Sequence, residues 1–207
     1  MPSEGQLFVV AAPSGAGKTS LVNALVERDP RLVISVSFTT RPARPGEVDG
    51  RHYHFTDAAT FARMLQGDEF LEHAEVFGHH YGTHRATTRK LLDRGRDVIL
   101  EIDWQGARQV RETFPGCHSI FILPPSLDSL RKRLGKRAQD SADIIEERMR
   151  QARAEISHCP EFDYVVVNDV FADALAELGQ VISACRGGPA FAQRPYRELL
   201  AELLGTG

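Results

Sequence analysis

The chain has 207 residues, 42% apolar and 26% charged, with a formal net charge of −3. That length suits one α/β domain with a sizeable core and room for an inserted subdomain. The balance lacks the basic excess of a nucleic-acid or membrane-surface protein, so neither nucleic acid nor membrane is expected as a partner.

Cys117, Cys159 and Cys185 are an odd count with no short metal-type spacing, which points to a reducing compartment and incidental thiols. The N-terminus MPSEGQ is polar and is followed by a short apolar run, with no signal peptide or span visible. The cytoplasm is therefore the expected location.

Leu7–Ala11 reads as a buried strand, and a glycine-containing turn leads from it into a helical pattern at Gly17-Lys18-Thr19. This is the layout of a phosphate-binding loop. Gly15 and Gly17 permit close backbone approach and unusual φ angles. Backbone N–H groups and the helix N-terminus then attract an anion, Lys18 adds a mobile positive charge, and the Thr19 hydroxyl is placed to ligate Mg²⁺. The strict pattern wants Gly where Ala12 stands; Ala is tolerated there provided φ is negative.

The stretch from Val33 to Tyr81 changes character. It holds short alternating pieces, Ile34–Phe38 and His52–Phe55, around the turn-rich link Arg-Pro-Ala-Arg-Pro-Gly-Glu. That is hairpin and loop chemistry, expected to form a small mixed subdomain inserted into the core. Arg41-Pro-Ala-Arg44 sets two guanidiniums on a proline-stiffened segment, with Tyr53 nearby in sequence and Tyr81 further on. Such a pair suits capture of a dianionic phosphate, each charge-assisted contact being worth about 1.5–3 kcal/mol. A solvated basic turn is the other reading of the same spacing.

Further strands are expected at Val98–Ile102, Ser119–Leu123 and Tyr164–Val167. Helices are expected at Thr19–Arg28, Ala86–Arg94, Gly106–Thr113, Leu127–Lys136, Ala142–Ser157 and Asp169–Cys185. Apolar runs between helices argue for a parallel sheet covered on both faces. Glu101 and Asp103, spaced i, i+2, are expected on one side of the strand that carries them. They fit either a Mg²⁺ shell or the cap of the next helix. Arg133 and Arg137 share a helix face; with Arg131, Arg148 and the polar link between them they read as a lid or as a charged outer face. Adjacent His79 and His80 diverge and, with His84, lack partners at ligand spacing, so no metal site is expected there. The tail after Gly187 carries a short amphipathic segment, Tyr196–Leu204, that docks on the body or on another subunit; a homo-oligomer is a candidate state.

With these residues in hand the chain resembles the bacterial guanylate kinases from about Gly5 to Cys185. The likeness rests on APSGAGKTS, SFTTRPARPGE, GRHYHF, EFLEHAEVFGHHYGT, IDWQG, FILPPS, RKRLGKR and VVVND, in that order. The resemblance implies phosphoryl transfer from ATP to GMP with Mg²⁺ as cofactor. It also implies a P-loop NTPase-type α/β core (5–33, 85–125 and 160–185), a GMP-binding region (about 34–84), a lid (about 126–159) and a tail (186–207). Ala12, Pro13, Ser14, Gly15, Ala16, Gly17, Lys18 and Thr19 match the family's ATP-phosphate loop, and Asn168 matches a contact on the adenine side. Arg41, Arg44, Tyr53 and Tyr81 match residues that hold the GMP phosphate. Ser37, Glu72, Thr83 and Asp103 match those around the guanine. Arg133, Arg137 and Arg148 match lid arginines that, with Lys18 and Arg41, serve transfer. Thr19 and Glu101 match the Mg²⁺ neighbourhood, partly through water; Glu101 stands where Asp is usual. Phe38 and Thr83 depart from common polar or serine residues, and the lid reads GKRAQD.

The base choice has a physical reason of its own. Guanine presents N1–H and an N2 amino group as donors, which one carboxylate, Glu72, can accept together. Adenine presents an acceptor at N1. Polar pairing of this kind can discriminate by factors on the order of 10⁴–10⁵. Retention of Lys18 argues against a binding module that has lost catalysis, and Ser37, Glu72 and Asp103 argue against another acceptor.

Overall fold

The computed structural model describes residues 4–76, 78–135 and 142–206, with 142 and 143 described by backbone alone. Its strands are β1 (Leu7–Ala11), β2 (Leu32–Ile34), β3 (Phe38–Thr39), β4 (His54–Phe55), β5 (Phe70–Val76), β6 (His79–His84), β7 (Asp97–Glu101), β8 (His118–Leu123) and β9 (Tyr164–Val167). Its helices are α1 (Lys18–Arg28), α2 (Ala58–Gln66), α3 (Arg85–Asp93), α4 (Trp104–Thr113), α5 (Leu127–Gly135), α6 (Ala142–Ile156), α7 (Phe171–Cys185) and α8 (Arg197–Leu204). The chain gathers into two compact units. One holds the described residues up to Val9 together with Arg31–Cys117; the other holds Val10–Pro30 and the chain from His118 onward. Among the described residues no helix is long and apolar enough to cross a membrane.

In the first unit the strand order is β2-β7-β1, with β2 and β7 parallel and Leu32 beside Asp97. Val98, Ile99 and Leu100 are buried, as expected of a strand covered on both faces. A second, mixed sheet has the order β4-β3-β6-β5, in which β5 and β6 form an antiparallel pair. Phe61 of α2 stacks on Phe70 at 4.5 Å, and α4 packs on β5, closing a small core around this sheet.

Two expectations change here. The alternating piece Ile34–Phe38 is not one strand: Ile34 ends β2, Ser35 N donates to Ile99 O at 3.0 Å, and Phe38 opens β3 in the other sheet. A period of two describes both pieces equally and does not see that the pairing partner switches between them. Helix α2 also lies within a stretch read as hairpin and loop. Asp57 caps it by accepting from Thr60 N at 2.8 Å, and only Phe61 of its residues is buried, so its apolar stripe is thin.

In the second unit the order is β1-β8-β9, with β8 and β9 parallel. Helix α1 packs on α7, α5 on α6, and α6 on α8. The tail folds back onto this unit. Gln193 completes the backbone pairing of Val165, accepting from its N at 2.9 Å and donating to its O at 2.8 Å, while Phe191 meets Tyr164 edge-on. Leu203 is buried. The tail thus docks on the body, as one of the two expectations for it had it. None of the three cysteines forms a disulfide; Cys117 and Cys159 are buried, and burial pushes the Cys159 thiol up to about 12.

Candidate active site

The phosphate loop sits in the second unit, between β1 and α1. Gly15 and Gly17 have φ of 89° and 92°, conformations that favour glycine. Gly17 is the N-cap of α1 and has no side chain to occupy the N–H groups that open the helix. Among the described non-glycine residues only Asp68 has positive φ, so Ala12 meets the condition set for it. Pro13 and Ala16 are buried, Ser14 and Lys18 half-buried, and Thr19 is exposed.

The loop is held from outside by side chains distant in sequence. Ala16 O accepts from Asn168 Nδ2 at 2.7 Å and from Arg133 Nη1 at 3.3 Å. Arg133 Nη2 in turn donates to Asn168 O at 3.1 Å. Ser14 N donates to Glu155 Oε2 at 3.0 Å, and Leu130 and Leu134 of α5 flank Gly15. Arg133 thus meets the loop's backbone. Arg148 is half-buried on α6. Arg137 lies outside the described residues.

The arginines expected to capture an anion, Arg41 and Arg44, sit in the first unit. Arg41 is buried, donating to Glu47 Oε1 at 2.8 Å and to Pro42 O at 2.7 Å. Its guanidinium lies 5.4 Å from the Tyr53 ring centroid and 5.9 Å from that of Phe55. The Glu47 carboxylate raises the Arg41 pKa, with burial opposing and the Tyr81 hydroxyl adding to the rise. Arg41 in turn holds the Glu47 carboxyl below its ordinary value. Arg44 is exposed, and its backbone N donates to Glu47 Oε2 at 2.7 Å. Tyr53 and Tyr81 meet edge-on at 5.9 Å; burial, then the neighbouring Tyr81 and Glu101, push the Tyr53 hydroxyl up. Arg41, Tyr53 and Tyr81 are therefore together, and Glu47 is a member of the group that spacing alone did not single out. Its signal was present: it is the acid that ends the Arg-Pro-Ala-Arg-Pro-Gly-Glu turn.

Glu72 on β5 is almost fully buried and pairs in register with Thr83 on β6. The Thr83 hydroxyl donates to Glu72 Oε1 at 2.6 Å. A Cβ at Gly106 would stand 2.3 Å from Glu72 Oε2, so the first turn of α4 closes on this carboxylate as only glycine allows. Ser37 is half-buried beside β3, its O accepting from His54 N at 2.9 Å. Glu101 ends β7, whereas Asp103 has left the strand. It is the N-cap of α4, accepting from Gly106 N at 2.8 Å and from Gln105 Nε2 at 3.0 Å. The expectation that Glu101 and Asp103 share a side of one strand fails, because the i, i+2 rule ends where the extended backbone ends.

Residues 4–185 match the family model described as guanylate kinase. A guanylate kinase of Alkalilimnicola ehrlichii is 56% identical over 201 residues, covering 97% of this chain and 99% of that protein. One of Chromohalobacter salexigens is 54% identical over 203 residues, covering 98% and 94%. The crystal structure of guanylate kinase from Anaplasma phagocytophilum superposes with a TM-score of 0.75 at 37% identity, covering 96% of this chain and 95% of that one.

Proposed function

The chain belongs to the guanylate kinase family, enzymes of P-loop NTPase-type α/β fold that phosphorylate GMP with ATP to give GDP, and from that premise we propose how its own residues divide the task. The loop from Ala12 to Thr19 takes the phosphates of ATP. Arg41, Arg44, Tyr53 and Tyr81 take the phosphate of GMP. Ser37, Glu72, Thr83 and Asp103 surround the guanine, so dGMP is accepted as well. The three-part division into core, GMP-binding region and lid stands with this proposal.

A GMP phosphate oxygen attacks the γ-phosphorus of ATP; the new P–O bond forms as the bond to the β,γ-bridging oxygen breaks and ADP leaves. The acceptor is already anionic, so positioning and charge stabilisation dominate over base catalysis. Lys18, Arg41, Arg133, Arg137 and Arg148 are the cations assigned to that charge. The hydroxyl of Thr19 and the carboxylate of Glu101 are hard oxygen donors of the type Mg²⁺ takes and would hold it, partly through water. Bound there, Mg²⁺ supplies neutralisation of phosphate charge. Cysteines that form no disulfide suit a cytoplasmic location.

The observation that supports the acceptor assignment best is Glu72, a buried carboxylate oriented by the Thr83 hydroxyl. ADP release measured with GMP, dGMP, AMP and UMP in turn tests it. Turnover is expected with the two guanine nucleotides; AMP or UMP turning over as fast as GMP refutes the assignment.

A further inference from the structure

Asn168 is buried at the end of β9, and its amide is directed at the phosphate loop. Its backbone is fixed as well: Asn168 N donates to Leu123 O at 2.9 Å, extending the β8–β9 pairing by one step. From that anchored position Nδ2 donates to Ala16 O at 2.7 Å. Arg133 closes the triangle, with one guanidinium nitrogen on Ala16 O and the other on Asn168 O.

The consequence follows from peptide geometry. A trans peptide points its C=O and its N–H in opposite directions. Ala16 O and Gly17 N belong to one peptide, so holding the carbonyl toward Asn168 aims the Gly17 N–H away from it. The contact also leaves no space for a side chain, since a Cβ at Gly17 would stand 2.4 Å from Asn168 Nδ2. The second glycine of the motif is thus required by its φ of 92° and, independently, by the amide packed against it.

We infer that Asn168, with Arg133 behind it, is a positioning residue for the phosphate loop: it orients the Ala16–Gly17 peptide for the donor's phosphates, whatever base the donor carries. This rests on the reading of the loop as the ATP-phosphate site. A residue that instead read the adenine ring would matter only to ligands that have one.

Calorimetric titration with MgATP and with magnesium tripolyphosphate, which has no base or sugar, separates the two roles. Wild-type protein and the Lys18→Ala and Asn168→Ala variants are compared. Asn168→Ala is expected to weaken both ligands by about tenfold and to the same degree, the effect of one lost buried hydrogen bond. Weakened MgATP with unchanged tripolyphosphate overturns the inference in favour of an adenine contact, and no change in either overturns it outright. Lys18→Ala is expected to weaken both ligands. If it weakens neither, the loop itself is misassigned; if it weakens both and Asn168→Ala does not, only the inference about Asn168 fails.

The isosteric Asn168→Asp keeps the test available if the alanine variant melts early. An ionised Asp sets an acceptor against Ala16 O, whereas a protonated one donates to it as the amide does. Its defect, taken as the ratio to wild type at each pH, is expected to shrink as pH falls; a ratio that stays constant across pH contradicts the assignment.

Discussion

Glu72→Gln is the sharpest perturbation of acceptor choice. In the proposed guanine site the Glu72 carboxylate has two oxygens, one receiving the Thr83 hydroxyl at 2.6 Å, and guanine presents two donors to it. Glutamine keeps the shape and supplies one acceptor and one donor. It therefore satisfies at most one of the two guanine N–H groups and turns an NH₂ against the other. One charge-assisted bond is lost, about 1.5–3 kcal/mol, and a buried donor is left unmatched, about 1–3 kcal/mol. Together these amount to about 2.5–6 kcal/mol, or roughly 10²–10⁴ in GMP binding. A coupled ADP-release assay with GMP varied at saturating ATP measures it, with a thermal melt to show that the buried site still folds. The KM for GMP is expected to rise by that factor and the KM for ATP to hold. A GMP KM within about threefold of wild type, smaller than one lost hydrogen bond, refutes the guanine assignment of Glu72.

Lys18→Ala is expected to fold normally and to lose most turnover in the same assay; near-wild-type turnover removes the phosphate loop from the reaction. Gly106→Ala places a methyl carbon where Glu72 Oε2 lies 2.3 Å away, so the carboxylate must shift. About a tenfold rise in GMP KM is expected, one hydrogen bond's worth, with preference for GMP over IMP reduced because IMP lacks the N2 donor. An unchanged GMP-to-IMP ratio counts against that close approach. Glu47→Gln removes the partner of Arg41. Because Arg41 holds the Glu47 carboxyl below its ordinary value, the stability from this pair is present above the unfolded-state pKa and is lost as pH falls through the lower folded-state one. The difference in Tm between wild type and variant is thus expected at neutral pH and should vanish in acid. A difference that persists at pH values where Glu47 is protonated breaks that link.

Much of this protein was legible in the chain alone, wherever the information was local. Leu7–Ala11 and Tyr164–Val167 are strands over the limits their apolar runs mark, and the helices at Leu127 and Ala142 begin where their patterns do. The glycines of the phosphate loop were readable because a positive φ is a property of one residue. Arg41 and Arg44 were legible as neighbours on the Pro-rich turn, and both meet Glu47 of that same turn, Arg41 through its guanidinium and Arg44 through its backbone N.

What the chain did not disclose is who meets whom. The alternation through Ile34–Phe38 looks continuous, yet two different sheets claim its ends. Asp103 fits the strand's period, yet it caps a helix, because the N–H of Gly106 offers it a bond that an extended backbone does not. Asn168 reaches Ala16 across 152 residues, and Glu155 reaches Ser14 across 141. Local periodicity records the conformation a segment prefers and the face it buries. The partner of a buried amide or carboxylate is settled only when packing brings distant segments together, so the phosphate loop was written in the sequence and the groups that hold it in shape were decided by the fold.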